Sequence, residues 1–391
     1  MAPAPLEQAA FTWLRDLLWP PDVVDETARR YAVVTRDNRP RLVVPLGSRA
    51  VLANALGRTT ADVSIAQTLT RRAAAFAASI GIVQPLLRHR FRSGRPAELA
   101  SIEDFLASAL GLPAVEIVAT IGPPRPNRKP VLQLFTPDGA TVGFAKVGWN
   151  GLTRGLVQHE ADVLRTLSER GSTRIRFPKV LHLGTWRDLE ISILSPLAPP
   201  AGSLAQRRDP STVELLELAG LGRRHSATLS ESSYAARTRS RIGAVDQPRR
   251  TTYSRALDRI AARGGDQVLE FGWSHGDWAP WNMTPLPDEL LVWDWERAGE
   301  DMPVLFDAIH YVFQREWLRR DRGPTDAVAA AIEHAAQHAP AFGLSESALE
   351  IIAHLYLVEL GLRYAENAAA GTDELRAERH ATVDATLQAL T

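Results

Sequence analysis

The 391-residue chain contains no cysteine, and this absence excludes several kinds of site. Without thiols the protein forms neither disulfide bonds nor thiolate zinc sites, and it has no cysteine nucleophile. Its formal net charge is zero, because 45 basic residues balance 45 acidic ones. A chain without net charge has no overall attraction for nucleic acid or for an anionic membrane, so we expect neither partner.

Long hydrophobic runs are lacking too. No stretch approaches the ~18 uninterrupted apolar residues that would predict a transmembrane helix. The N-terminal segment carries Glu7 and Asp16 and ends in the pair Pro20-Pro21, a pattern unlike that of a secretory signal peptide. We therefore expect a cytoplasmic protein, with enough residues for two or three compact domains.

Changes in hydrophobic periodicity and clusters of Pro and Gly divide the chain into three parts. Residues 1–111 combine two short strand patterns, joined by a turn at Asp37-Asn38, with Ala-rich helical stretches. This combination predicts an α+β extension, whose role the sequence leaves open. Residues 112–197 contain a three-stranded meander, a helix and a further strand pair, whereas residues 198–391 are mainly helical.

One loop in the helical part gathers the residue types that phosphoryl transfer needs. The sequence SHGDWAPWN, at 274–282, is followed by a turn and by a short apolar strand pattern that leads to Asp294. Phosphoryl transfer uses one carboxylate to orient the acceptor hydroxyl and accept its proton, and a carboxamide with a second carboxylate to bind Mg²⁺. Asp277, Asn282 and Asp294 supply this set in the order and spacing of a kinase catalytic loop.

A lysine and a glutamate earlier in the chain complete such a site. Lys146 lies on the third strand pattern of the meander, where a kinase has the lysine that binds the donor phosphates. On the following helix, Glu160 shares a stripe with apolar residues, so its carboxylate should face the interior and needs a cationic partner. We therefore predict an ion pair between Lys146 and Glu160.

These motifs resemble those of the aminoglycoside phosphotransferase and choline kinase family, relatives of the protein kinases. The resemblance begins near Val115 and rests on H-G-D-x4-N at 275–282, V-W-D-W-E at 292–296 and P-x3-D at 303–307. It implies an α+β, bilobal, protein-kinase-like fold, with a small β-rich lobe for nucleotide binding and a large helical lobe. It also implies ATP or GTP as donor, Mg²⁺ as cofactor and a hydroxyl group of a small molecule as acceptor.

The same resemblance implies supporting roles for further residues. His275 would brace the catalytic loop, and Asp307 would anchor it by hydrogen bonds. Backbone groups of Ile193, Ser195 and Leu197 would bind the purine. The loop at 122–130 is not rich in glycine, and the sequence does not establish whether it closes over phosphates.

The sequence thus predicts a small-molecule kinase, and it leaves one main alternative open. A nucleotide-binding pseudokinase, acting as a regulatory or scaffolding subunit, would share the fold; the complete set of Lys146, Asp277, Asn282 and Asp294 argues against it. A protein kinase ranks low, because the segment before Pro303 is too short for an activation loop. The identity of the acceptor, the choice between ATP and GTP, and the oligomeric state stay open.

Overall fold

The computed structural model describes most of the chain in two compact units. The first unit comprises Met1–Asp162 with Pro178–Ala198, and the second comprises Val163–Phe177 with Pro199–Thr391. The first is built around a sheet and the second is mainly helical, so the predicted α+β class is confirmed. The described residues are 5–36, 39–57, 65–87, 89–121, 127–199, 205–206, 208–264, 266–317, 324–369 and 377–389.

The elements up to residue 198 alternate between short helices and antiparallel strands. In chain order they are α1 (Pro5–Leu18), β1 (Arg30–Arg36), β2 (Arg39–Pro45), α2 (Arg49–Gly57), α3 (Ile65–Ser79), α4 (Val83–Leu86), β3 (Arg90–Arg92), α5 (Ile102–Ala109), β4 (Glu116–Thr120), β5 (Val131–Phe135), β6 (Thr141–Gly148), α6 (Gly151–Arg170), β7 (Ile175–Arg176), β8 (Val180–Trp186) and β9 (Leu189–Leu194). Helix α6 passes from the first unit into the second, to which β7 also belongs.

The described strands of the first unit form one antiparallel sheet of eight, in the order β3-β1-β2-β4-β5-β6-β9-β8. The predicted meander is β4, β5 and β6, with Ile117 opposite Leu134 and Leu132 opposite Ala145. These four apolar side chains are all buried, as expected for the inner face of a strand pattern with a period of two.

The sheet does not stop at residue 111, where the periodicity suggested a boundary. Strand β2 pairs with β4, with Val43 opposite Ala119, so the N-terminal strands extend the sheet of the meander. Leu14 and Trp19 belong to the same buried cluster as Leu132. A strand pattern in a sequence indicates that a strand forms, but it does not show which other strand pairs with its edge. The sequence therefore could not reveal the pairing of β2 with β4. The turn predicted at Asp37-Asn38 lies outside the described residues.

A buried carboxylate joins three N-terminal elements of this unit. Helix α5 begins after Ser101, whose hydroxyl accepts a hydrogen bond from the backbone N–H of Asp104 at 3.1 Å, as the capping pattern predicted. Its first turn presents Glu103, which is fully buried. Oε1 of Glu103 accepts hydrogen bonds from Trp19 Nε1 at 2.9 Å and from the Tyr31 hydroxyl at 2.6 Å. These bonds tie α5 to β1 and to the residue that follows α1.

The second unit consists of helices with two small sheets. Its further elements are α7 (Thr212–Ala219), β10 (His225–Thr228), α8 (Ser233–Ala244), α9 (Arg249–Gly264), β11 (Val268–Ser274), a 3-10 turn (Pro280–Asn282), β12 (Met283–Pro285), β13 (Leu290–Val292), β14 (Gly299–Pro303), α10 (Phe306–Trp317), α11 (Pro324–His338), a 3-10 turn (Ala339–Phe342), α12 (Glu346–Ala369) and α13 (Ala377–Ala389). Within the described residues, the sheets have the orders β10-β11-β14 and β12-β13-β7.

Helix α12 lies at the centre of this unit. It packs against α9, α10, α11 and α13, and most of its residues are buried. Strand β10 interrupts a stretch where the periodicity predicted only helix, because its residues pair with β11. None of the helices in the described part of the chain is both long and apolar enough to cross a membrane.

Candidate active site

The predicted catalytic loop leaves the end of β11 and is held by the first turn of α10. Asp307 Oδ2 accepts a hydrogen bond from the backbone N–H of His275, and Oδ1 accepts one from that of Gly276, both at 2.9 Å. Gly276 has a φ of +77°, and a Cβ there would lie 2.2 Å from the carbonyl oxygen of Arg297. Only glycine fits this position without displacing backbone. Asp307 thus holds two successive backbone N–H groups at the start of this loop.

His275 is a buried structural group of the loop. Its Nδ1 accepts a hydrogen bond from the backbone N–H of Asp277 at 3.2 Å, which leaves Nε2–H to donate to the carbonyl oxygen of Trp293, also at 3.2 Å. Its ring also meets the ring of Trp295 edge to face, with centroids 4.6 Å apart. Burial lowers the pKa of His275 despite the opposing charge of Asp307, so the ring is neutral. The neutral ring thus links the backbone of Asp277 to that of Trp293 through its two nitrogens.

The Asp277 carboxylate has a partner on each oxygen. Oδ2 accepts a hydrogen bond from Asn282 Nδ2 at 2.9 Å, and Oδ1 lies 3.0 Å from His310 Nε2 and 3.9 Å from Arg363 Nη1. About a third of the side chain, 32%, is exposed. Burial raises the pKa of Asp277, but the hydrogen bond and charge of His310 and the charge of Arg363 outweigh it and hold the pKa well below its ordinary value. The group is therefore an ionised, oriented carboxylate at neutral pH.

His310, Tyr356 and Arg363 are the site residues that the sequence analysis missed. His310 Nδ1 lies 3.0 Å from the Tyr356 hydroxyl, so α12 fixes the ring that contacts Asp277. His310 follows Asp307 by three residues on α10 and therefore shares its helix face, a spacing that could have revealed it. Arg363 and Tyr356 lie on α12, far along the chain from the loop, and no local pattern points to them.

Asn282 and Asp294 lie at the open end of one hairpin. Strands β12 and β13 pair with Met283 opposite Val292, and the backbone N–H of Trp293 donates to the Asn282 carbonyl oxygen at 3.0 Å. Asp294 follows directly, with a left-handed φ of +70° that is uncommon for a residue other than glycine. Such strain is often found at functional sites.

The donor atoms of this pair suit Mg²⁺. Asn282 Nδ2 donates to Asp277, so Oδ1 of the amide is the atom that can act as a ligand. Mg²⁺ commonly uses one or two protein oxygens together with substrate phosphates and water, rather than a full protein cage. No cluster of three His, Cys, Asp or Glu residues able to hold a metal occurs among the described residues.

The predicted ion pair lies within the first unit. Lys146 Nζ lies 2.7 Å from both carboxylate oxygens of Glu160, and the two side chains are 11% and 0% exposed. Strand β6 carries Lys146 between β5 and β9, with Val131 and Ser192 as its neighbours. Helix α6 carries Glu160 on its buried face, as the stripe of apolar residues predicted.

The three residues predicted to contact a purine occupy different surroundings. Ile193 is buried on β9 and has sheet partners on both sides, Ala145 and His182. The backbone N–H of Ser195 donates to the Lys179 carbonyl oxygen at 2.8 Å. Leu197, beyond the strand, is partly exposed. Of the loop 122–130, residues 122–126 lie outside the described part of the chain.

Comparison with known proteins finds similar structures but no matching sequence family. No family model and no curated protein sequence matches the chain. Similar solved structures include aminoglycoside phosphotransferase APH(4)-Ia, with 12% identity over 73% of this chain and 96% of that one and a TM-score of 0.48. An amicoumacin kinase has 11% identity over 68% and 86% of the two chains, with a TM-score of 0.43. A putative fructosamine-3-kinase from Haemophilus somnus 129PT has 12% identity over 74% and 95%, with a TM-score of 0.41.

Proposed function

We propose that the protein is a Mg²⁺-dependent phosphotransferase that moves the terminal phosphate of ATP or GTP to a hydroxyl group of a small molecule. The observation that carries this proposal is the arrangement around Asp277. An ionised carboxylate, held through both oxygens, lies beside an Asn whose free amide oxygen suits a metal, and an Asp ends the adjoining hairpin. These are the functional groups that transfer of a phosphoryl group to a hydroxyl group requires.

In the proposed reaction the acceptor oxygen forms a bond to the terminal phosphorus while the bond to the leaving diphosphate breaks. Asp277 orients the hydroxyl group and accepts its proton. Asn282 and Asp294 would hold Mg²⁺, which would neutralise negative charge on the donor phosphates. In the first unit, Lys146 binds the donor phosphates and Glu160 keeps the ammonium group in position.

The cheapest test is whether nucleotide stabilises the protein only when Mg²⁺ is present. Asp294 and a polyphosphate are both anionic and repel each other, whereas a divalent cation held by Asp294 would attract the polyphosphate. A ligand at ~100 times its dissociation constant contributes about 2.7 kcal/mol. One kcal/mol moves the melting temperature of a chain this large by roughly 2 °C. We therefore expect ATP or GTP to raise the melting temperature by several degrees with Mg²⁺.

The matched variants are Asp294→Ala and, as a control, Asp288→Ala, which changes an exposed carboxylate at the turn of the same hairpin. We expect Asp294→Ala to abolish the Mg²⁺-dependent part of the shift and Asp288→Ala to retain it. An equal shift in the presence of a chelator, or none with either nucleotide, would overturn the proposal. A metal-dependent shift without consumption of nucleotide across a broad acceptor screen would favour the pseudokinase alternative.

A further inference from the structure

Two arginine side chains near Asp277 meet at one face of α12. Arg363 is a residue of this helix, and Arg297 forms a hydrogen bond to it. Arg363 Nη1 lies 3.9 Å from Asp277 Oδ1, and the Arg363 side chain is only 14% exposed. Arg297 Nη2 donates a hydrogen bond to Asn367 Oδ1 at 3.0 Å. Because Arg363 and Asn367 are four residues apart in a helix, they lie on one face of α12. We call Arg297, Arg363 and Asn367 the donor cluster.

The donor cluster has more hydrogen-bond donors than acceptors. A guanidinium group carries five N–H donors and no acceptor. Among the described residues, Arg363 has Asp277 as its ion-pair partner, at a separation too long for a hydrogen bond, and the Arg297 side chain donates to Asn367. Asn367 Nδ2 is buried and has no hydrogen-bond acceptor in the part of the chain that the structure describes. Buried donors of this kind normally have partners.

The neighbouring carboxylate of Glu366 does not satisfy these donors. Glu366 is bound by Arg241 through two hydrogen bonds, of 2.7 and 3.2 Å. Burial lowers the pKa of Arg297, and the positive charge of Arg363 lowers it further, although Glu296, Asp277 and Glu366 oppose both effects. The two guanidinium groups therefore repel each other, and an anion bound to both would relieve that repulsion.

We infer that the acceptor carries an anionic group, a carboxylate or a phosphate monoester, which the donor cluster binds while Asp277 receives the hydroxyl group. This inference rests on the proposed function and narrows its substrate class. Guanidinium groups bind carboxylate and phosphate through paired hydrogen bonds, and the buried amide of Asn367 adds a third donor. Since Arg363 approaches Asp277 so closely, the anionic group and the reacting hydroxyl are separated by only a few bonds.

The first experiment compares probes that share a skeleton and differ in charge. The three-carbon set is glycerate, glycerol 3-phosphate, glycerol and 2-amino-1,3-propanediol; the hexose set is glucuronate, glucose 6-phosphate, glucose and glucosamine. Phosphorylation is measured by acceptor-dependent release of nucleoside diphosphate, and binding by titration calorimetry. In at least one set we expect an anionic member to bind or react about tenfold or more better than its neutral and cationic analogues. A preferred neutral or cationic member, or no preference in either set, would overturn the inference.

The second experiment changes the donor cluster. Arg363→Gln and Arg297→Gln should each remove most of the anion preference, and Arg363→Lys should restore part of it, because it keeps the charge but loses the planar fork. Arg239→Gln, at an exposed position on α8, is the matched control and should change nothing. Asn367→Asp gives the sharpest contrast. A carboxylate at this position should raise the melting temperature, by pairing with both arginines, and should weaken anion binding.

Two measurements distinguish binding of the acceptor from binding of the nucleotide at the donor cluster. They are the binding of the carboxylate probes and the shift of the melting temperature with nucleotide. Phosphate probes can also bind near Lys146, so binding that disappears in Lys146→Met and is absent for carboxylates would overturn the inference. If the arginine variants lose the Mg²⁺-dependent shift of the melting temperature with nucleotide, the donor cluster binds the nucleotide and not the acceptor. If the nucleotide shift is present but the anion preference is not, this inference alone fails. If the shift is absent in the wild type, the proposed function fails.

Discussion

Asp277 has a hydrogen-bond partner for each of its oxygens, so its orientation is set before any substrate binds. Asn282 fixes one oxygen from within the loop, and His310 fixes the other from α10. Tyr356 in turn holds the His310 ring from α12. In the proposed reaction, a carboxylate constrained in this way would not have to adopt one rotamer among several, which would lower the entropic cost of proton transfer.

The first prediction concerns this carboxylate. Asp277→Asn should lower kcat by about a hundredfold or more, because a positioned base typically contributes a factor of 10²–10⁴. Nucleotide affinity should be unchanged, since the proposed donor contacts lie elsewhere. Steady-state kinetics with an identified acceptor, together with nucleotide titrations, provide the measurement. Asp288→Asn is the matched control, and near-normal turnover in Asp277→Asn would remove Asp277 from the mechanism.

A second prediction at this scale concerns pH and Glu217. Its carboxylate accepts hydrogen bonds from the hydroxyl of Ser172 and from the backbone N–H groups of Thr173 and Arg174. Burial raises the pKa of Glu217, but these hydrogen bonds outweigh burial and lower it. A carboxyl group with a lowered folded-state pKa stabilises the protein above its unfolded-state pKa of ~4.3 and loses that contribution as the pH falls through the folded-state value.

We therefore expect Glu217→Gln to lower the free energy of unfolding by about 1.5 kcal/mol at pH 7, the lower end of the range for hydrogen bonds to a charged group, because the side chain is partly exposed. The difference from the wild type should shrink as the pH falls below ~4. Urea unfolding at a series of pH values measures both effects. A difference that stays constant from pH 7 to pH 3 would show that the charge of Glu217 contributes nothing.

At the scale of elements, the Lys146–Glu160 pair joins strand β6 to helix α6. Both side chains are nearly or fully buried, so removing either one takes away the opposite charge that the other faces at 2.7 Å. The effects of Lys146→Met and Glu160→Gln on nucleotide affinity should therefore be coupled rather than additive. A double-mutant cycle in nucleotide titrations measures this coupling.

The matched control for that cycle is the pair Arg154 and Asp188, which also involves α6 but is exposed, with its charged atoms 3.5 Å apart. Exposed pairs contribute little, so Arg154→Gln and Asp188→Asn should be additive. Full additivity for Lys146 and Glu160 as well would mean that the pair has no part in binding nucleotide.

The sequence could predict individual helices, strands and loops, but not how distant elements pack against one another. The loop with Asp277 and Asn282, and the hairpin that brings Asp294 near them, depend on short-range spacing, which a sequence displays directly. Glu160 could be placed because a helix repeats every 3.6 residues. The contacts of Arg297 with Asn367, and of Arg363 with Asp277, depend on how α12 packs in the second unit. No period along the chain encodes that packing.

At the scale of the whole molecule, residues 1–111 supply none of the groups proposed for phosphoryl transfer, yet they are integral to the first unit. Among the described residues they contribute three of the eight strands, and their apolar side chains share a core with the meander. The sequence predicted that these strands exist but not their partner, because pairing between distant strands leaves no local signature. The extension is thus a structural part of the sheet.

The corresponding prediction is that removing residues 1–111 abolishes cooperative folding. The deletion uncovers the edge of β4 and one side of a core that includes Ile117 and Leu132, and unpaired apolar edges aggregate. We expect a protein that begins at residue 112 to show no sharp melting transition and to elute as aggregates in size-exclusion chromatography. A deletion of residues 2–4 is the control. A monomeric truncated protein with a sharp transition would show that the extension is dispensable.

The order of strands in the large sheet has a consequence for synthesis on the ribosome. Strand β2 is complete at Pro45, but its neighbour β4 begins only at Glu116, and β6 must wait for β9, which begins at Leu189. The N-terminal hairpin therefore emerges well before the strand that covers its edge. Until then it presents unpaired backbone groups and apolar side chains to the solvent, the kind of surface that chaperones bind.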